Sequence, residues 1–173
     1  MRAIFLLAVI LLVPGLAAAQ PKPAAKPPAA PAPKPIGAFD DWQAATYDEG
    51  GQTVCYAFTK ARTSAPRITG RGEAILTVTQ RVALRDAVSF SAGFEFAPGA
   101  SVQVMVDKAK FEFYTAKRSG FARDGHAVIA TLDGPKQAVV KAPHPQKKEV
   151  TDTFSLRGFA KAYEAINKAC PPK

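Results

Sequence analysis

The chain has little of what most enzymes and metalloproteins need. Its 173 residues include two histidines, two cysteines, two methionines and one tryptophan. His126 precedes an apolar segment, and His144 lies between Pro143 and Pro145. No H-x-H, HExxH or Cys/His cluster accompanies them, so the three or four ligands of a metal site are lacking. There is no phosphate loop and no dinucleotide fingerprint, and no G-x-S-x-G elbow. The cysteines, Cys55 and Cys170, are far outside the C-x-x-C spacing of a redox pair. Acidic residues are scarce, 14 against 23 Lys and Arg, and most fall in predicted turns.

Long apolar runs are equally rare. The one at the start, Ala3 to Val13, follows Met1-Arg2 and is broken by Pro14-Gly15 before Leu16-Ala17-Ala18-Ala19. A spanning helix needs ~20 apolar residues. A positive charge, a short apolar core and an A-x-A site are the parts of a secretory signal. The expectation is a signal peptide over residues 1–19, cleaved after Ala19. No cysteine follows it to carry a lipid. Residues 20–36 are then a flexible tether rich in Pro, Ala and Lys, which fixes φ and removes backbone donors. A spacer and a polyproline-type ligand are both compatible with it.

Residues 37–173 make one domain of ordinary size. Two cysteines in an exported chain, one near each end of that domain, predict a single structural disulfide, Cys55 to Cys170. Apolar residues recur with a period of two. Val88, Phe90, Ala92, Phe94 and Phe96 share a face, Pro98-Gly99 turns the chain, and Val102, Val104 and Val106 repeat the alternation before Phe111 and Phe113. Further strands are expected at 41–47, 53–58, 74–81, 127–132 and 137–141. The pattern predicts a mainly β domain, an antiparallel sandwich or barrel. One helix is expected near the C-terminus. Ser155 caps it, Phe159, Tyr163 and Ile166 form its apolar stripe, and it ends at Cys170 before Pro171-Pro172. That helix packs on the sheet.

Particular segments resemble the invasion-associated locus B family of alphaproteobacterial exported proteins. They are Trp42 with Cys55-Tyr56, the block from Arg71 to Arg81, the block from Val88 to Phe96, the block from Val106 to Phe113, and Thr151-Asp152-Thr153-Phe154-Ser155-Leu156-Arg157-Gly158-Phe159. The likeness runs from about Ile36 to Cys170. It implies an exported periplasmic or outer-membrane-associated protein of a Gram-negative bacterium, connected in some members with host-cell invasion. It implies no catalytic residues. Lys147-Lys148-Glu149 departs from the Arg-Gly-Thr-like turn usual before the Thr-Asp-Thr segment.

The net charge is +9, of which Arg2, Lys22, Lys26 and Lys34 carry four, leaving five on the domain. Its basic residues are not interleaved with aromatics as nucleic-acid binders require. They point instead to an anionic envelope component, polysaccharide or lipid headgroup, or to another envelope protein. Three basic patches are candidate binding loops: Lys60, Arg62, Arg67 and Arg71; Lys117, Arg118 and Arg123; and Lys141 with Lys147 and Lys148. Neither cofactor nor metal is expected, and the oligomeric state stays open. The alternatives are a hydrolase built from His126 or His144 with Ser89, Ser91 or Ser155 and Asp152, a carboxylate pair such as Glu95 and Glu112, and a periplasmic assembly or stress factor. The bland role for Asp152 is to hold a turn between strand and helix.

Overall fold

The computed structural model describes residues 32–146 and 149–172. The expected signal peptide, most of the tether, Lys147 and Lys148 lie outside the described residues.

Alternation of buried and exposed side chains builds eleven strands: β1 (Lys34–Phe39), β2 (Trp42–Glu49), β3 (Gln52–Lys60), β4 (Thr63–Ala65), β5 (Ile75–Gln80), β6 (Ala87–Ser91), β7 (Ser101–Val106), β8 (Ala109–Ala116), β9 (Ser119–Ala122), β10 (Gln137–Ala142) and β11 (Val150–Ser155). All pairings are antiparallel, in the order β1-β2-β3-β5-β6-β9-β8-β7-β10-β11-β4. The order closes on itself. Only Ala61 and Arg62 separate β3 from β4, so one bent strand pairs with β5 along its first part and with β11 along its second. The change of partner falls at the bend: Ala61 N donates to Ala74 O at 2.9 Å and Arg62 N to Thr153 O at 2.8 Å. The result is a barrel-like sheet, with β1 and β2 extending beyond β3. β1 takes in Lys34, Pro35 and Ile36, and proline is tolerated there because β1 is an edge strand.

Inward side chains fill the interior. Leu76, Val78, Phe90, Val104, Phe113 and Phe154 are buried, each large side chain contributing ~1.5–3 kcal/mol. Helix α2 (Phe159–Ala169) packs on β1, β2, β3 and β5 through Phe159, Ala162 and Ile166. Trp42 lies edge-on to Phe159, centroids 5.0 Å apart, and its Nε1 donates to Ser155 O at 3.0 Å. The disulfide Cys55–Cys170, Cα atoms 6.0 Å apart, ties the helix end to β3.

Four local expectations are overturned. Residues 127–132 are not a strand: Gly125–Leu132 form α1, with the Asp124 side chain accepting from Ala127 N at 2.9 Å. That bond caps the helix and frees Val128, Ile129 and Leu132 to bury one face. Ser155 does not cap α2. It ends β11 and donates to Asp41 Oδ2 at 2.6 Å, while Gly158, at φ 87°, holds the cap position. The strand expected through Phe96 stops at Ser91, because Gly93 turns to φ 74°. This takes Glu95 off the sheet. Asp152 does not hold a turn between strand and helix, but sits fully buried inside β11.

Candidate functional site: basic clefts around a buried ion pair

Asp152 is 0% exposed and faces Ser64 across the β11–β4 pair. A lone carboxylate there would be prohibitive. Three donors satisfy it. Arg71, from the β4–β5 loop, approaches in bidentate fashion, Nη1 to Oδ1 at 2.8 Å and Nη2 to Oδ2 at 2.6 Å, and Ser64 Oγ donates to Oδ1 at 2.6 Å. The remaining face of Arg71 is also committed. Its Nε donates to Ala92 O at 2.7 Å, and its guanidinium lies 5.2 Å from the centre of the Phe94 ring. The pair therefore fastens the β4–β5 loop to β11 and to the segment after β6.

Further bonds join two more loops to the same point. Gly72 N donates to Gly93 O at 3.0 Å, and Arg118 Nη2 to the same oxygen at 2.9 Å. Ala92 N bonds Arg118 O at 2.9 Å, and Phe96 N bonds Lys117 O at 2.8 Å. His144, from the β10–β11 loop, stands edge-on to Phe94 at 4.6 Å. Four loops remote in sequence meet here.

Two clefts flank this junction and share Ile68 and Arg71 in their walls. The larger, about 630 Å³, carries Lys60, Arg62 and Arg67 along with Glu73. The smaller, about 340 Å³, is lined by Thr69, Glu95, Arg118, His144 and Gln146. Lys60 bonds Glu73 at 2.7 Å, and Arg62 bonds Asp41 at 2.9 Å. Both pairs are solvent-exposed and of the kind that contributes little, so a stronger anion can compete for the cations. Hydrogen bonds from Ser155 and then Arg62 hold the Asp41 carboxyl below its ordinary 3.8. Among the described residues, the exposed Arg67 and Arg118 have no carboxylate partner. Gln146 N donates to His144 Nδ1 at 3.1 Å, which assigns the ring N–H to Nε2. The clefts present hydrogen-bond donors and cations on loops tied together by the Arg71–Asp152 pair and the bonds to Gly93 O.

The sequence of residues 42–167, well over half the chain, matches the family model described as invasion associated locus B (IalB) protein. The chain belongs to the IalB family. The matched span begins at Trp42 and includes both members of the Arg71–Asp152 pair and every wall residue named above. The fold is similar to that of the crystal structure of invasion associated protein B from Bartonella henselae, with a TM-score of 0.53 and 17% identity over 77% of this chain and 95% of that one. No curated protein matches.

In this IalB chain the three basic patches are redistributed by the fold. Lys60, Arg62, Arg67 and Arg71 line one cleft, and Arg71 and Arg118 line the other. Arg71 differs from its neighbours in being spent on Asp152, its side chain 6% exposed. Lys117 occupies the adjoining turn with φ 53°. Arg123 lies elsewhere, its guanidinium 5.4 Å from the Tyr114 ring, and Lys141 on β10 forms a loose ion pair with Glu149 at 3.6 Å. Lys136 and Arg157 were not anticipated. They join Arg62 around a third cleft of about 330 Å³, and only the closure of the sheet brings them there.

The histidines make different contacts. His126 is on α1, with Nδ1 3.2 Å from Asp86 Oδ2. Asp86 also accepts from Gln80 Nε2 at 2.6 Å and from Tyr163 OH at 2.7 Å. Burial pushes its carboxyl up, but these three hydrogen bonds outweigh burial and leave it below 3.8. Of the groups in the hydrolase alternative, Ser155 donates to Asp41 and Asp152 accepts from Arg71, and among the described residues neither Ser89, Ser91, Ser155 nor Asp152 has a hydrogen bond to a histidine. Among the described residues no three His, Cys, Asp or Glu groups could hold a metal ion, and no helix is long and apolar enough to cross a membrane.

Proposed function

We propose that this IalB-family protein acts in the cell envelope, after cleavage of its signal peptide, by binding an anionic partner rather than by catalysis. The paired clefts around Arg71 and Asp152 are the site. The observation that carries this reading is the meeting of Arg67, Arg118 and His144, drawn from three separate loops, on walls already braced by the buried ion pair. Cations without carboxylate partners concentrate anions near a surface and lose that effect as salt rises. The part of the expected tether that precedes β1, residues 20–33, would hold the domain off a surface while the clefts engage it. The family's description speaks of association with invasion, and contact with a host surface would be one setting for such binding.

The test is retention of the protein, lacking residues 1–19, on solubilised envelope and purified cell-wall fractions at low and high salt. Retention that saturates, falls with salt and drops in an Arg67→Ala/Arg118→Ala variant supports the reading. Salt-insensitive retention, unchanged in that variant, overturns it.

A further inference from the structure

Away from the clefts, the outer face of β6–β9 carries an exposed aromatic row. Strand register sets four side chains in one row across four adjacent strands: Ser89 opposite Phe121, Phe121 opposite Tyr114, and Tyr114 opposite Ser101. All four point outward, since their neighbours Phe90, Gly120, Phe113 and Val102 are buried. Tyr114 is 45% exposed, a large fraction for a big ring. Phe121 stacks beside it, centroids 5.5 Å apart and planes 30° from parallel, and Arg123 lies 5.4 Å from its centroid. On the β7 side stands only Ser101, too short to cover a ring.

Directly opposite residues on neighbouring strands have Cβ atoms about 5 Å apart. Tyr114 thus forms one wall of an open shelf whose floor is Ser101. Two residues along, Glu112 faces Gln103, about 7 Å from the first row. Glu112, Gln103 and Arg123 are exposed, and no hydrogen bond or ion pair engages their side chains among the described residues. Together they offer acceptor, amide and donor at the edge of an aromatic face.

We propose that this shelf is a sugar-stacking site, with a pyranose ring of a glycan lying on Tyr114 above Ser101. The complementarity is one of charge distribution. An aromatic face is electron-rich, and the C–H bonds on the flat side of a pyranose are polarised the opposite way. Sugar hydroxyls both donate and accept, which suits an edge holding Glu112, Gln103 and Arg123 together. A protein partner would instead want a wider apolar area with a charge-depleted centre, and this face has two rings only. Phe121 stacks against Tyr114, so the ring is held in place and loses little freedom on binding.

The experiment is saturation-transfer NMR on the protein lacking residues 1–19, using soluble glycan-strand fragments released from bacterial sacculi and stripped of peptide, with dextran as a second probe. Working at 1 M salt, where the screening length is ~3 Å, silences the basic clefts. The expected result is transfer to ring C–H protons in at least one probe. Tyr114→Ala should weaken that binding by about tenfold, and Ser101→Leu, which fills the shelf while leaving Tyr114 intact, should do the same. Arg67→Ala/Arg118→Ala should leave it unchanged. Trp42 fluorescence checks that each variant is folded. Absence of transfer from the unmodified protein to both probes overturns the proposal, as does undiminished transfer in either shelf variant.

Discussion

Arg71 and Asp152, 81 residues apart in sequence, form a bidentate ion pair whose two side chains are 6% and 0% exposed. Burying two charges brings little net stability, but removing one of them leaves the other stranded. Arg71→Met should therefore destabilise the protein by about 3–5 kcal/mol. An Arg71→Met/Asp152→Leu double variant should recover much of that loss. Urea unfolding of the two variants beside the parent measures both effects, and a double variant no better than the single one would count against an isolated buried pair.

Gly93 sits at φ 74°, and a Cβ placed on it would run into the carbonyl of Gly72. Gly93→Ala should cost more than ~1 kcal/mol. It should also loosen the β4–β5 loop, because Gly93 O is the shared acceptor for Gly72 N and Arg118. Amide hydrogen exchange should show faster exchange at Gly72 with little change in the β7–β10 core.

The disulfide links β3 to the end of α2 across a separation of 115 residues. The chain-entropy account gives a loop of this size somewhat over ~4 kcal/mol, and native bridges commonly contribute ~2–4 kcal/mol. Cys55→Ser/Cys170→Ala should lower the urea midpoint accordingly. α2 should remain docked, since Phe159, Ala162 and Ile166 are buried independently of the bridge and Trp42 reports on their packing.

Asp41 and Asp86 have folded pKa values below their ordinary 3.8. A group more acidic in the folded state stabilises the fold fully above its unfolded pKa and loses that contribution as pH falls through the folded value. Both act in the same direction, so stability should hold down to about pH 4 and then decline as pH falls further. Asp86→Asn should flatten part of that decline, and urea midpoints measured on either side of about pH 4 would show it.

Strands such as β7 were legible in sequence because Val102, Val104 and Val106 alternate cleanly between marked turns. β9 was not, since Ser119-Gly120-Phe121-Ala122 is too short and too small in side chain to show a period. α1 was misread because its apolar run Ala127 to Leu132 suits strand or helix alike. The deciding signal, Asp124 as N-cap, lies just before it. Ser155 had the composition of a helix cap, yet the carboxylate of Asp41, 114 residues away, claims its hydroxyl.

What the amino-acid sequence determines by itself is local and periodic: which residues can form strands, the apolar stripe of α2, and the presence of two thiols to pair. A period of two assigns each side chain to a face, but it carries no information on which strand comes to lie alongside. The tertiary structure decided that β3 and β4 are one bent strand, pairing with β5 at one end and with β11 at the other. That closure buries Asp152 opposite Ser64 and draws in Arg71. The same closure gathers Arg67, Arg118 and His144 into neighbouring clefts, while the β7–β8 and β8–β9 hairpins line up Tyr114 with Ser101 and Phe121. The buried pair and the clefts join residues whose separation along the chain exceeds any local period, so only long-range strand pairing could set them.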